Sequence, residues 1–321
     1  MSDSPSPETE RHVQPLFRKF NIFRYLPLAA VFLAVMVFDQ WIKTVETRSD
    51  GPELHAAVRF QPVPLEPSGF LPLKLAGAWE VQVDDPRFGG VSALAMDGEA
   101  LLAATDSGSV VRLPLPGRGT RALVRDLPAG PGTSQFKVHR DSEALAPDPA
   151  GRGWWVAFEH WNQLWLYDPG FGRALEQIDL GKGRWPRNGG AEAVAADGAG
   201  LLVFRESGTE WLRLEGGRLR ARPLESPFGG LADAARLDDG RLLLVTRKFG
   251  LAGLEKHVVV AEEKGESLTL RPIARLGLGR KENVEGMAAQ NLGRDGTRLW
   301  LITDNDFRPR KATLLVALDL S

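Results

Sequence analysis

Residues 143–158 contain the pattern that decides the fold: Glu143-Ala-Leu-Ala146, a turn from Asp148 to Gly151, and Trp154-Trp-Val-Ala-Phe158. A strand of small residues is followed by a glycine turn and by a second, more apolar strand. Glycine accepts the positive φ that tight hairpin turns require, so this order predicts an antiparallel β-hairpin. Because the same order recurs along the chain, the hairpin is one unit of a repeat.

The repeat has five units, each with a small-residue first strand, a turn, an apolar second strand and a third strand. The first strands begin at Ser92, Glu143, Glu192, Ala232 and Glu285. Four units also show an outer fourth strand, whereas the fifth does not. A spare strand, Lys74–Val83, precedes the first unit. One end of a propeller commonly completes the blade that the other end begins, which removes the open edge.

The sequence therefore predicts an all-β protein, a β-propeller of four-stranded blades closed by an N-terminal strand. We count five blades, and the number would be six if residues 116–139 or 43–72 held further strands. Small residues on the first strand of each unit fit a crowded central channel. A pair of β-sandwiches would leave the recurring order of strand, turn and strand unexplained.

The composition excludes several kinds of function. The 321 residues carry 40 Lys+Arg and 41 Asp+Glu, a formal charge of −1 that gives no footprint for nucleic acid. Cysteine is absent, which rules out disulfides, thiolate nucleophiles and cysteine-bound metals. No phosphate-binding glycine loop or dinucleotide fingerprint follows a strand, so we expect no organic cofactor. Any chemistry must come from side chains on several blades.

The N-terminal residues predict a membrane segment. Residues 1–24 form a polar and then basic tail, and residues 25–42 form an apolar span with Tyr25 and Trp41 at its ends. An uncleaved anchor is favoured, while a cleaved signal and a buried core helix are the alternatives. Residues 43–72 are predicted as a Pro-rich linker and 73–321 as the propeller. The basic flank predicts a single-pass inner-membrane protein with its propeller in the periplasm, or a secreted protein if the signal is cleaved.

Polar residues stand where first strands begin and second strands end, two places that lie side by side in an antiparallel hairpin. These residues should therefore meet at one end of the channel. Carboxylates around a narrow opening suit a hard cation such as Ca²⁺, whereas arginines suit an anionic substrate. The candidate catalytic residues are Glu143, Glu192, Glu285 and Asp304. The candidate metal ligands are Asp141, Glu143, Glu192 and Glu285. The candidate substrate-binding residues are Arg205, Arg247, Lys248 and Asn305.

Structural roles compete with each of these assignments. Acidic residues beside turns often cap backbone N–H groups or pair with an arginine of the next blade. His160 is the one histidine beside the predicted rim, and a structural role competes with that of a general base. The tryptophans of the repeat are interpreted as packing between blades rather than as a ligand cage.

At these residues the sequence resembles the phytase-like propeller domain of exported bacterial proteins, described as having esterase-like activity. The resemblance spans about residues 70–321. It lies in the segments Arg140–Ala146, Asn188–Ala193, Asn283–Met287, Leu301–Phe307 and Leu314–Leu320. The resemblance implies a secreted hydrolase of phosphate or carboxylic esters, and a propeller usually taken as six-bladed. Ser92 and Ala232 depart from a carboxylate at every first strand, which weakens a multi-calcium interpretation.

Two functional hypotheses follow. The first is an exported, membrane-tethered hydrolase of a small-molecule ester, esterase-like or phosphatase-like, with a divalent cation at the channel mouth. The second is a non-catalytic propeller that binds an envelope protein and uses its carboxylates structurally. A fold alone does not choose between them, because propellers carry both kinds of function.

Overall fold

The computed structural model describes residues 46–181, 184–186, 189–198, 200–250, 253–308 and 310–320. These residues form strands joined by turns, with three short 3₁₀ turns at Pro67–Phe70, Lys137–His139 and Gly293–Asp295. Thr44–Ser321 forms a compact unit by itself. Among the described residues no helix is long and apolar enough to cross a bilayer. The predicted tail at 1–24 and the predicted span at 25–42 lie outside the described residues.

The strands follow one another along the chain and are joined mostly by hairpins. In order they are β1 (Leu54–Pro62), β2 (Lys74–Val83), β3 (Val91–Asp97), β4 (Ala100–Thr105), β5 (Ser109–Pro114), β6 (Arg121–Asp126), β7 (Ser142–Pro147), β8 (Trp154–Phe158), β9 (Gln163–Tyr167), β10 (Ala174–Asp179), β11 (Ala191–Asp197), β12 (Gly200–Arg205), β13 (Glu210–Glu215), β14 (Arg218–Pro223), β15 (Gly230–Arg236), β16 (Leu242–Gly250), β17 (Gly253–Lys264), β18 (Ser267–Arg275), β19 (Asn283–Asn291), β20 (Thr297–Asp304) and β21 (Thr313–Leu320).

These strands build four-stranded antiparallel sheets, as the repeat predicts. Within the described residues there are five: β3–β6, β7–β10, β11–β14, β15–β18, and β19–β21 completed by β2. The first strand of each sheet contacts the first strands of two neighbours, so β3, β7, β11, β15 and β19 close a ring. The architecture is that of a β-propeller, and the sheets are called blades 1 to 5 in this order.

The ring is closed as the sequence predicts. Strand β2 pairs with β21, which supplies the fourth strand that blade 5 lacks. A strand that sequence reasoning missed adds a second closure. β1 pairs with β6 of blade 1 through Leu54–Ala57 and with β2 through Val58–Pro62, which joins blades 1 and 5 in one nine-stranded sheet.

This second closure differs from the linker predicted at 43–72. The many prolines of that segment suggested a stiff spacer, but prolines are tolerated at strand ends and edges, where their missing N–H is not needed. β1 ends at Pro62, and the other prolines of the segment lie outside its strand. The additional strand creates no sixth blade, because it extends the outer edges of blades 1 and 5.

The hydrophobic core consists of layers between neighbouring blades. Among the described residues there are five apolar clusters, one for each pair of adjacent blades. Alanines such as Ala93, Ala144 and Ala193 are fully buried in these layers on the innermost strands. Trp155, Trp211 and Trp300 are buried in these layers, in agreement with their interpretation as packing residues.

Candidate functional site at the channel mouth

Each innermost strand carries a β-bulge near its start. The register shifts at one residue in every blade, and the bulged residues are Ser92, Glu143, Glu192, Ala232 and Glu285. A bulge inserts an extra residue and re-aims its side chain, which is why bulges recur beside functional sites. The five positions that the repeat aligned are therefore equivalent, and three of them place a glutamate at one end of the channel.

The side chains gathered there are called the mouth cluster. It consists of Asp106, Lys137, Asp141, Glu143, Glu159, His160, Glu192, Glu206, Arg247 and Glu285. Its members come from the beginnings of first strands, the ends of second strands, and the turn that contains Lys137. Carboxylates clearly outnumber full cations in this set.

Arg247, at the end of β16, forms one half of the cluster. Its guanidinium lies 3.1 Å from Glu206 Oε1 and 3.7 Å from Glu192 Oε2, and it donates a hydrogen bond to Glu285. Asn283 also donates to Glu285 through its side-chain amide. Glu192 is 5% exposed and makes no hydrogen bond with the described residues. Arg247 is thus shared by three carboxylates, and Glu192 receives the weakest contact.

Lys137 forms the other half. Its ammonium lies 2.8 Å from Asp106 Oδ2 and 3.6 Å from Asp141 Oδ1. The second oxygen of Asp141 lies 2.9 Å from His160 Nε2, and Asp141 also shares a hydrogen bond with Glu143. Asp106 Oδ1 is buried and has no hydrogen-bond partner among the described residues. This half contains an Asp–His pair and two neighbouring carboxyl groups that can share a proton.

Glu159 connects the two halves. One of its oxygens accepts a hydrogen bond from the backbone N–H of Gly189. Its carboxylate belongs to two sets of side chains whose ligand atoms lie within 4.8 Å of one another, Asp141–Glu159–His160 and Glu159–Glu192–Glu206. The second set offers only carboxylate oxygens, the ligands that Ca²⁺ prefers.

Burial dominates the electrostatics of the mouth cluster. It raises the pKa of Glu143 and of Glu192 well above the ordinary range, and each is raised further by neighbouring carboxylates, Glu192 acting on Glu143 and Glu285 acting on Glu192. Burial likewise raises the pKa of Glu159 and of Asp106 to about 7. Burial acts to raise the pKa of Asp141 as well. The hydrogen bond with His160 and the charge of Lys137 outweigh it and bring this pKa below the ordinary value. Glu143 therefore keeps its proton to a higher pH than Asp141 does.

Asp304 closes the rim beside this cluster. Burial and the neighbouring Asp306 raise its pKa to about 8, and its Oδ1 accepts the N–H of Asp306 at 2.7 Å. Asn305 Oδ1 accepts the N–H groups of Gly90, at 3.1 Å, and of Phe307, at 3.0 Å. The predicted substrate-binding side chain of Asn305 thus fastens two loops together.

Two of the predicted cationic residues point away from the mouth cluster. Arg205 donates to Gly189 O and to Thr209 Oγ1, both at 3.4 Å. Lys248 reaches Pro227 O at 3.3 Å. The residues alternate along β16, so Lys248 projects opposite to Arg247. Of the three predicted cations, only Arg247 contacts the carboxylates of the mouth.

Sequence reasoning missed Asp233, the residue after the bulge of blade 4. Its side chain is fully buried and accepts backbone N–H groups of Met287 at 2.7 Å, Ala234 at 2.8 Å and Leu94 at 3.3 Å. Burial raises its pKa well above the ordinary range, against the three hydrogen bonds that lower it. The carboxyl group joins blades 4, 5 and 1 across the channel. A lone aspartate within an otherwise apolar first strand was the available signal.

Below Asp233 the channel is mainly apolar. A cavity of about 130 Å³ is lined by alanines and other apolar residues, among them Leu94, Leu145 and Met287, and also by Arg236. This cavity has no carboxylate in its lining and lies further along the inner strands than the bulges. The carboxyl groups of the mouth cluster therefore do not line this cavity.

The model of one protein family matches residues 86–307 and is described as phytase-like, with the esterase-like activity of phytase. The chain belongs to this family. The match includes all five bulges and the whole mouth cluster of this phytase-like chain, but not β1, β2 or β21. No curated protein matches the sequence.

Solved structures resemble the phytase-like chain at low identity. Glutaminyl cyclase of Myxococcus xanthus is 11% identical, with 85% of this chain and 100% of that chain covered and a TM-score of 0.49. The PQQ-bound aldose sugar dehydrogenase of Streptomyces coelicolor is 13% identical, with 85% and 99% covered and a TM-score of 0.46. Hydrazine synthase of Kuenenia stuttgartiensis is 15% identical, with 69% of this chain and 58% of that chain covered and a TM-score of 0.41.

Proposed function

We propose that the phytase-like chain hydrolyses esters at the channel mouth with the help of a divalent cation. The observation that carries this proposal is the state of Glu192, a buried carboxyl group that makes no hydrogen bond to the described residues and lies 3.7 Å from Arg247. A buried carboxyl group without close partners is costly to ionise, and a bound cation would stabilise its ionised form. The orphaned oxygen of Asp106 is a second such group. Membership of a family described by esterase-like activity agrees with the proposal.

The residues suited to hold the cation are Glu159, Glu192 and Glu206, whose carboxylate oxygens lie within 4.8 Å of one another. The predicted ligands Glu143 and Glu285 are not part of that set. A cation bound there would supply Lewis-acid polarisation of the ester carbonyl. Hard oxygen donors favour Ca²⁺ over softer metals.

The Asp141–Glu143 pair fits the proton transfers of hydrolysis. Asp141, kept ionised by His160 and Lys137, accepts a proton from the attacking water as its oxygen bonds to the carbonyl carbon. Glu143, which holds a proton, donates it to the leaving oxygen when the ester C–O bond breaks. Their hydrogen bond returns the proton from Asp141 to Glu143 and restores the starting state. His160 orients Asp141 in this scheme.

The expected result for residues 44–321 is hydrolysis of p-nitrophenyl esters that EDTA abolishes and Ca²⁺ restores. Ca²⁺ should also raise Tm, since a ligand at 100 times its Kd stabilises the native state by about 2.7 kcal/mol. Parallel assays with p-nitrophenyl acetate, butyrate and phosphate, with Ca²⁺ or EDTA, test both points. If neither substrate class is hydrolysed and Ca²⁺ does not change Tm, this proposal is wrong and the chain is instead a non-catalytic binding propeller.

We also propose that residues 25–42 tether the chain to the inner membrane and that the propeller lies in the periplasm. The basic residues before the apolar span and the cysteine-free sequence support this arrangement. A reporter enzyme fused after Ser321 should be active only when the reporter requires export. Activity of a reporter that functions only in the cytoplasm would contradict this topology.

A further inference from the structure

Two aromatic side chains stand exposed on segments that carry the mouth. Phe249, at the tip of the β16–β17 hairpin, is 84% exposed, and Phe307, in the loop after β20, is 37% exposed. Few large apolar side chains of the described residues are exposed to this extent. Neither ring contributes to the five packing layers between blades.

Phe249 lies directly beyond Arg247 on β16. Leu243 and Val245 pack against blade 5, and the alternation of a strand puts Arg247 and Phe249 on that same face. The pairing of β16 with β17 continues to Gly250, so the hairpin supports Phe249 above the carboxylates that Arg247 holds. The ring thus extends the wall of the mouth outward.

Phe307 is positioned by a strained loop. Asp306 and Phe307 both adopt left-handed backbone conformations, with φ of 51°. Non-glycine residues pay about 1–3 kcal/mol for such a conformation, which is found where the surroundings impose it. Asn305 supplies that constraint through its hydrogen bonds, and a methyl group at Gly90 would overlap both the Phe307 ring and the Asp106 carboxylate. The loop therefore holds an aromatic ring beside the mouth cluster.

The cations of the mouth are already occupied. Arg247 is shared by Glu192, Glu206 and Glu285, and Lys137 is shared by Asp106 and Asp141. Arg205 and Lys248 face backbone and hydroxyl oxygens elsewhere. Among the described residues, both full cations of the mouth cluster are thus held by carboxylates, which leaves neither of them free for a phosphate.

We propose that Phe249 and Phe307 bind the apolar acyl group of a neutral carboxylic ester whose carbonyl faces the mouth cluster, and that phosphate monoesters are poor substrates. This inference rests on the proposed function and names its substrate class. Phe249 and Phe307 act in specificity, while Asp141 and Glu143 move the protons. The reaction is hydrolysis as described above: water adds to the carbonyl carbon, the C–O bond breaks, and carboxylic acid and alcohol leave.

The test compares p-nitrophenyl acetate, butyrate, octanoate and phosphate with the wild type, Phe249→Ala and Phe249→Leu. In the wild type, kcat/KM should rise from acetate to octanoate and be lowest for the phosphate. Phe249→Ala should raise KM for octanoate by about tenfold and for acetate by less than about twofold, since lost apolar contact scales with chain length. Phe249→Leu should restore most of the octanoate KM. Leu175→Ala, at an exposed residue of β10, is the control and should change neither KM.

A second measurement separates failure of this inference from failure of the proposed function. Titration calorimetry with N-butyl octanamide, which esterases do not cleave, should show binding that Phe249→Ala weakens about tenfold. If the amide binds but no ester is turned over, the apolar binding site is supported and the proposed hydrolase function is wrong. The inference would be overturned if the phosphate were the preferred substrate, if KM did not depend on acyl length, or if the amide did not bind. Turnover of any ester would still support the proposed hydrolase function in those cases.

Discussion

Glu192→Gln should abolish the Ca²⁺-dependent rise in Tm and reduce ester hydrolysis about 100-fold, the loss typical of removing one electrostatic contributor at a reaction centre. Gln keeps the shape of the carboxyl group and removes its charge. Calorimetric melts with Ca²⁺ or EDTA, together with turnover of p-nitrophenyl butyrate, measure both effects. Glu176→Gln, at an exposed residue of β10 that pairs with Arg152, is the matched control and should change neither quantity.

For the same variant we also predict how the melting temperature depends on pH. Burial holds the pKa of Glu192 above its ordinary value of 4.5 in the native state. The stability contributed by this group is therefore present in full below about pH 4.5 and is lost as pH rises through the native pKa. In EDTA, Glu192→Gln should melt at a higher temperature than the wild type, and the difference should grow as pH increases. A lower Tm at every pH would instead identify Glu192 as a structural residue.

Asp233→Ala should destabilise the fold by about 4 kcal/mol, because it leaves the buried N–H groups of Leu94 and Met287 without an acceptor. These donors lie on the inner strands of blades 1 and 5, so the loss falls on contacts that cross the channel. Denaturant unfolding measures the change. Asp233→Asn, which keeps one acceptor oxygen, should recover part of it.

Asp239→Ala is the control for that substitution, since Asp239 lies in the exposed turn of the same blade and, within the described part of the chain, bonds only to Arg241. Its unfolding midpoint should stay close to that of the wild type. If Asp233→Ala unfolds at the wild-type midpoint, the carboxyl group does not hold the blades together.

The order of the strands followed from the sequence because each hairpin carries its own signals. The small first strand beginning at Glu143, its glycine turn and the apolar strand ending at Phe158 are local, and they recur. β1 lacked such a signal: besides its neighbour β2, Leu54–Pro62 pairs with β6 of blade 1, and β3, β4 and β5 lie between them along the chain. Pairing across that distance leaves no mark in the nearby residues.

The candidate site divides in the same way. The repeat aligned Glu143, Glu192 and Glu285, and the bulges at these residues place them at one end of the channel. The partners of these residues depend on side-chain direction, which the repeat does not encode. Lys137 lies in a turn between blades, and Lys248 differs from Arg247 only by the alternation of one strand. Strand position was therefore predictable, but contacts between blades were not.

The double closure of the ring has a consequence for how the chain folds as it is made. β1 and β2 are neighbours along the chain and can pair early. The other edge of β2 stays unpaired until β21, at Thr313–Leu320, has been synthesised. Until then β2 exposes unpaired backbone groups, a hazard for aggregation during synthesis. Lys74 and Glu80 put charges on this waiting strand, and such gatekeeper residues limit mispairing with other nascent chains.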